Sequence, residues 1–216
     1  DNQVKVQSNT ITFNNIASVV GGVGNDEIIG TNGVDSFTIS NVANQISANN
    51  ILFSDITSVD AGADAVVDDL VEGLADQEWQ IERKGLGDDY VIKGFSSSGI
   101  SFTNIEVARS GSDLDIAGGT VFGTDRSDLF ETTGMNNEIA ISSLIFKGIT
   151  VVDANDIKND GDELNTNNGE VESFNIEAEG DVTDLREGGI RFKNFEAMVG
   201  ELADTVTLPG SEVTYT

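Results

Sequence analysis

The sequence predicts an all-β chain: a parallel β-solenoid (β-helix) of about ten coils, built from five repeats. The first observation is a repeated phrase, apolar-x-Phe-x-x-apolar. It occurs as ITFNNI (Ile11, Phe13, Ile16), ILFSDI (Ile51, Phe53, Ile56), ISFTNI (Ile100, Phe102, Ile105), LIFKGI (Leu144, Phe146, Ile149) and IRFKNF (Ile190, Phe192, Phe195). Its phenylalanines are 40, 49, 44 and 46 residues apart. The second is another phrase between successive copies, which ends on Phe37, Trp79, Phe130 and Phe174, with Tyr215 as a fifth aromatic. The third is the residue alphabet of both phrases. Val, Ile, Thr and Phe alternate with polar residues at a period of two, and Gly, Asn, Asp and Ser separate the runs. Self-similarity at this period marks a stacked architecture.

Each element follows from local chemistry. In ITFNNIASVV, Ile11 and Phe13 alternate with Thr10 and Thr12, as a half-buried strand requires. SFTIS repeats that pattern through Phe37 and Ile39. Proline occurs once, at Pro209, so few positions interrupt a ladder of backbone hydrogen bonds. Only DAVVDDLVEGLADQEW invites a helix, with Val66, Val67, Leu70, Val71 and Leu74 at helical spacing. Its alignment with the second phrase favours a strand, with a short helical excursion as the alternative.

The repeats divide a single elongated domain, 1–216, at about 10–49, 50–98, 99–142, 143–188 and 189–216. Equivalent phrases stack in parallel if the chain winds the same way each time. Two coils of roughly 20 residues then fit each repeat, and the rod is roughly 45–50 Å long. The five phrase phenylalanines are expected in one continuous buried stack.

Charge bounds the partners. Lys and Arg total 11 against 38 Asp and Glu, giving a formal charge of -27, and Lys5 is the one base in residues 1–82. Such a surface repels nucleic acid and anionic membranes and attracts divalent cations or basic partners. The acids are dispersed and 38% of residues are hydrophobic, unlike a disordered acidic tail. With no cysteine and no histidine, thiolate and imidazole chemistry are absent. No apolar run of about 18 residues occurs, so membrane insertion by this segment is not expected. The start, DNQVKVQSNT, lacks the basic and apolar regions of a signal peptide and reads as a piece or processed product of something longer.

One motif carries metal chemistry. GGVGNDEII and GTNGVDSFT at 21–38 place Gly21 and Gly30, and Asp26 and Asp35, nine residues apart. Gly24 and Gly33 complete the pattern G-G-x-G-x-D-x-apolar-x, with Thr31 in place of one glycine. KGLGDDYVI at 84–92 adds Asp89, VGELADTVT keeps Gly200 and Asp204, and GTDRSDLFE keeps Gly123 and Asp128. Glycines permit a tight turn whose carbonyls face a hard cation, and the aspartate adds a charged oxygen. The same residues also make ordinary corner turns, so Gly21, Gly24, Asp26, Gly30, Gly33, Asp35 and Asp89 are candidate Ca2+ ligands beside that plainer reading. The motif resembles the calcium-binding RTX nonapeptide; that resemblance implies an ion between turns two nonapeptides apart, which needs several in series, and only two stand here in tandem.

These phrases resemble the repeats of large bacterial RTX and haemagglutinin-like surface adhesins over residues 10 to about 208. The resemblance implies an exported, extended, often calcium-dependent rod at the cell surface or outside the cell. It positions an adhesive tip or builds biofilm matrix, with cell-surface or matrix carbohydrate as a partner. Unit four departs from the pattern with Glu172 in place of the aspartate, and unit two inserts a residue before Trp79. Two other classes stay open. A self-assembling filament would form by axial stacking of coil on coil, as a homo-oligomer. A polysaccharide-acting β-helix enzyme would rest on carboxylates, on Tyr90 or Tyr215, or on the basic pairs Arg83-Lys84 and Arg191-Lys193.

Overall fold

Twenty-four strands, all short, make up the regular structure of the computed structural model, and no helix is present among the described residues. The structure describes residues 2–6, 9–13, 16–62, 69–83, 90–94, 99–111, 118–154, 161–166, 173–178, 181–184, 189–195, 197–200 and 205–207. The strands fall into units of five. The first unit holds four: β1 (Asn2–Val6), β2 (Asn9–Phe13), β3 (Ser18–Val20) and β4 (Glu27–Ile29). The second holds β5 (Ser36–Ile39), β6 (Gln45–Ala48), β7 (Ile51–Ser54), β8 (Ser58–Asp60) and β9 (Leu70–Gly73). The third holds β10 (Glu78–Arg83), β11 (Tyr90–Gly94), β12 (Ser101–Thr103), β13 (Val107–Ser110) and β14 (Gly119–Phe122). The fourth runs through β15 (Leu129–Thr132), β16 (Glu138–Ile141), β17 (Leu144–Lys147), β18 (Ile149–Asp153) and β19 (Glu163–Asn165). The fifth runs through β20 (Ser173–Ala178), β21 (Asp181–Asp184), β22 (Arg191–Lys193), β23 (Ala197–Val199) and β24 (Thr205–Thr207).

Two eleven-stranded sheets face each other across one core. The first is ordered β3-β7-β6-β5-β9-β13-β17-β16-β15-β19-β23, the second β4-β8-β12-β11-β10-β14-β18-β22-β21-β20-β24. Eleven strands spaced by about 4.8 Å span roughly 48 Å. The sheets form a β-solenoid of about four turns rather than ten coils. The difference lies inside the unit. Its first three strands form an antiparallel meander on one face, as in β5-β6-β7 and β10-β11-β12, and only the last two cross between faces. Between successive units, within each sheet, the pairing is parallel, and the meander-edge and crossing strands meet four places on: β3 with β7, β4 with β8, β5 with β9.

A unit therefore crosses the core three times, an odd number, and successive units begin on opposite sheets. The phrase phenylalanines alternate accordingly. Phe53 and Phe146 lie on the first sheet, Phe102 and Phe192 on the second. The single continuous stack expected for them is corrected to this two-sided arrangement. Each of these four phenylalanines pairs with an aliphatic residue four strands back: Phe53 with Val19, Phe102 with Val59, Phe146 with Ala108, Phe192 with Val152; Phe13 lies on β2, in the separate two-stranded sheet. Within the meanders, inward rows run Ile39–Ile46–Phe53, Ile81–Ile92–Phe102 and Thr132–Ile139–Phe146. Phe102, Phe146 and Phe192 are buried, whereas Phe53 is only partly so. Rings also meet across the core, Trp79 and Phe146 with centroids 6.4 Å apart.

The phrase itself encodes a turn. Two residues after four of the phrase phenylalanines the backbone takes positive φ, at Asp55 (59°), Asn104 (56°), Gly148 (70°) and Asn194 (61°). Asn, Asp and Gly are the residues that tolerate this region, and the bend sends the chain to the opposite sheet. Asn104 and Asn194 also donate to the carboxylates of Asp60 (2.6 Å) and Asp153 (2.7 Å) one coil away. In the second-unit meander Asn49 (51°) and Asn50 (62°) form a two-residue hairpin loop with both central residues left-handed, as a type I′ turn requires. VEG of the ambiguous stretch belongs to β9 and EWQI to β10, while 63–68 lie outside the described residues.

Candidate functional site

Three corners share one construction. Gly21, Gly30 and Gly123 each donate a backbone N–H to the neighbouring coil, at Ser54 O (2.8 Å), Asp60 O (2.7 Å) and Asp153 O (2.8 Å). A Cβ at these glycines would lie 2.7 Å from Asp55 O, 2.2 Å from Ala61 O and 2.8 Å from Ala154 O. Glycine is required because the coils approach too closely for a side chain. Five residues later an aspartate folds back over the turn. Asp35 Oδ2 accepts from the Thr31 N–H (2.5 Å) and hydroxyl (3.0 Å). Asp128 repeats this, with Oδ2 accepting from the Thr124 N–H (2.5 Å) and Oδ1 from its hydroxyl (3.1 Å). The threonine that replaces a motif glycine is thus part of the corner, and its oxygen in turn accepts from Gly33 or Arg126 N–H, each at 3.2 Å.

Acids also link one coil to the next. The Asp35 N–H donates to Asp69 Oδ1 (2.7 Å), the Asp69 N–H to Glu106 Oε2 (2.8 Å), and the Asp128 N–H to Asp162 Oδ1 (2.7 Å). Each acid immediately precedes a strand of the first sheet, at β5, β9, β13, β15 and β19. Asp69, Asp128 and Asp162 are at most 1% exposed. Buried carboxylates persist where fixed N–H donors replace water, and here those donors are the backbone of the preceding coil. Sequence reasoning missed Asp69, Glu106 and Asp162, which sit outside the glycine motif. Their signal was an acid directly before a β-run: Asp69-Leu70-Val71, Glu106-Val107-Ala108, Asp162-Glu163-Leu164.

The Asp128 corner also gathers a cation and a phenol. Arg83 lies 3.4 Å from Asp128 Oδ1 and donates to the Ser127 carbonyl, and the Tyr90 hydroxyl lies 3.5 Å from the same carboxylate. The guanidinium sits 5.4 Å from the Tyr90 ring centroid, close enough for a cation–π contact. A groove of about 380 Å³ beside it is lined by Gln80, Glu82, Arg83, Thr124, Asp125 and Arg126, a surface of both charge signs.

The predicted metal residues are separated. Gly21, Gly24 and Asp26 belong to the corner from β3 into β4, whereas Gly30, Gly33 and Asp35 belong to the corner from β4 back into β5. One leads into the second sheet and the other into the first, so the two turns do not face each other. Asp89 lies outside the described residues. Among the described residues no three His, Cys, Asp or Glu side chains come together as a metal site. Asp35 Oδ2 is turned onto N–H and O–H donors that a cation would have to displace, and Asp26 Oδ2, buried with no hydrogen-bond partner, is the one motif oxygen of a different kind. The expected result is that calcium, magnesium and sodium chloride at matched ionic strength raise the melting temperature equally, by screening the charge. A calcium-specific rise, lost in Asp26→Asn, would instead place an ion at that corner.

No protein-family model, no curated protein and no solved structure matches the chain.

Proposed function

We propose that this chain is a non-catalytic structural segment of a bacterial cell-surface or secreted protein, an acidic rod that holds other parts of its parent away from the cell. One observation carries the reading: the polar chemistry repeated along the solenoid is scaffolding chemistry. The Gly30–Asp35 and Gly123–Asp128 corners, some 93 residues apart, are built in the same way: the carboxylate holds its own turn, and the backbone N–H of the same aspartate donates to an aspartate of the next coil. A charge of -27 on such a rod keeps it extended, soluble and clear of anionic polymers. Neutral cell-surface or matrix carbohydrate is one partner class compatible with that charge.

The test is where the segment sits on the cell. Antibodies raised against the purified chain should label intact cells of the organism that makes it, and brief external proteolysis should remove the label. Labelling that appears only after the cells are permeabilised would contradict the proposal.

A further inference from the structure

The last strand of each unit carries one residue turned away from the core that no repeated phrase specifies. It follows the inward-facing centre of the strand and is Ile29 in β4, Glu72 in β9, Phe122 in β14 and Asn165 in β19. These four residues share no chemistry, so the fold does not require an aromatic there. Phe122 nevertheless sets a ring on the outer face of the second sheet. Val121 before it is buried, and Phe122 itself is half-buried. β14 is the sixth of eleven strands, so the ring lies in the middle of the sheet. It offers apolar area to a partner that the core does not use.

Polar side chains surround the ring in register. Lys93, Gln80, Phe122, Asp153 and Lys193 form one row across β11, β10, β14, β18 and β22. The next row carries Glu78 and Arg191. Beyond Gln80 and Phe122 the sheet opens, because β10 runs on through Arg83 while β14 ends at Phe122 and the chain turns off at Gly123. The groove of about 380 Å³ lies there, lined by Glu82 and Asp125 together with Arg126. Several of these groups are already held: the Gln80 amide donates to Gly123 O (2.8 Å), Lys93 pairs with Glu82 (2.7 Å) and Asn194 donates to Asp153 (2.7 Å). Among the described residues four bases and four acids thus share this face, and Arg83 at its rim is matched by Asp128. The face is balanced in charge on a chain of -27.

We propose that this face binds a neutral polysaccharide, with one sugar ring stacked on Phe122 and the hydroxyls beside it reaching the groove. The C–H face of a sugar is apolar and packs against an aromatic ring. Its hydroxyls both donate and accept, so they need the mixture of amide, ammonium, guanidinium and carboxylate groups found here. Charge selects the class of partner. A polyanion is repelled by the rest of the chain, and a polycation would be drawn to the acidic surface elsewhere. An uncharged polymer suits the one face where the charges cancel. Neighbouring strands lie about 4.8 Å apart, close to the rise of one sugar along an extended chain, so successive sugars meet successive strands. The inference rests on the proposed function in taking carbohydrate as the partner, and it adds the place and the residues.

The experiment is affinity electrophoresis of the 216-residue chain through native gels containing xyloglucan, galactomannan or polygalacturonate. Phe122→Ala, Asp125→Ala and Thr38→Ala run alongside, and circular dichroism melts report whether each keeps the β fold. Phe122→Leu, which keeps apolar bulk without a ring, replaces the alanine variant if that one does not fold. A neutral polysaccharide should retard the unaltered chain, and polygalacturonate should not. Loss of the ring should weaken retardation roughly tenfold, the size of one good aromatic contact. Asp125→Ala should weaken it less, and Thr38→Ala, on the outer face of the first sheet, should leave it unchanged. No retardation in either neutral gel would overturn the proposal. Retardation that survives both Phe122 and Asp125 substitutions would overturn it too. Retardation by polygalacturonate that fades with sodium chloride would assign the face to an acidic polymer instead. The assay uses the purified chain, so it can fail while cells are labelled, or succeed while they are not, and the two readings fall separately.

Discussion

Replacing Trp79 by alanine should destabilise the fold by about 3–5 kcal/mol, the range for removing a fully buried large aromatic. Trp79 is buried in the middle of the second sheet, pairs with Val121 of β14 and Gly94 of β11, and meets the Phe146 ring across the core. Its indole N–H donates to the buried Ser110 hydroxyl at 2.8 Å. That hydroxyl is confined, because a Cβ at Gly119 would lie 2.0 Å from it. Trp79→Phe should lose about 1–3 kcal/mol, from unfilled volume and an unsatisfied hydroxyl. Phe53→Ala, at a partly exposed ring near one end, should cost clearly less than Trp79→Ala. Denaturant titration of the three variants provides the comparison, and equal losses at Trp79 and Phe53 would show that burial between the sheets is not what holds the coils.

The second large effect is expected at Asp128. Its carboxylate receives the Thr124 N–H and hydroxyl and sits within ion-pair distance of Arg83. Asp128→Ala would leave these donors facing an apolar methyl, at a cost of about 3–5 kcal/mol, as for removing one partner of a buried charged pair. Asp128→Asn retains one acceptor oxygen and should cost less. Asp26→Ala should cost least, since Asp26 Oδ2 receives no hydrogen bond. Thermal melts of the three variants give the order, and a loss at Asp26 as large as at Asp128 would remove the distinction drawn between the two corners.

The strands and their inward residues were legible in the sequence because alternation has a period of two and the repeat fixes its phase. The ten aromatics singled out from the two phrases lie on third and first strands of successive units wherever the structure describes them. The direction of pairing was less legible. A repeat implies parallel stacking between units, and that reasoning passed over the antiparallel meander within each unit. Asn49-Asn50, set between the alternating runs QISA and ILFS, carried the hairpin signal. Reading it would have turned ten coils into fewer turns, because a meander spends three strands on one face. The alternation of phenylalanines between sheets depends on counting crossings, a property of topology that spacing does not report. At the corners, the motif located Asp35 and Asp128, but the coil-to-coil partners Asp69 and Asp162 lie 34 residues away from them in each case. Contact over that separation is set by which strands neighbour each other.

The central claim is that strands pair four places on, so that the Phe102 strand lies against β8 and not against the Phe53 strand of the preceding repeat. The chain has no cysteine, so a pair introduced by mutation reports without interference. Ser58 and Ser101 are register partners in β8 and β12, and neighbouring strands lie about 4.8 Å apart, within disulfide range. Leu52 and Ser101 hold equivalent positions before their phenylalanines but lie on opposite sheets. Under mild oxidation, Ser58→Cys/Ser101→Cys should form an intramolecular disulfide nearly quantitatively by mass spectrometry, and Leu52→Cys/Ser101→Cys should form none. A disulfide in the second pair and not in the first would mean that equivalent phrases stack directly on one another, and the alternating solenoid would be wrong.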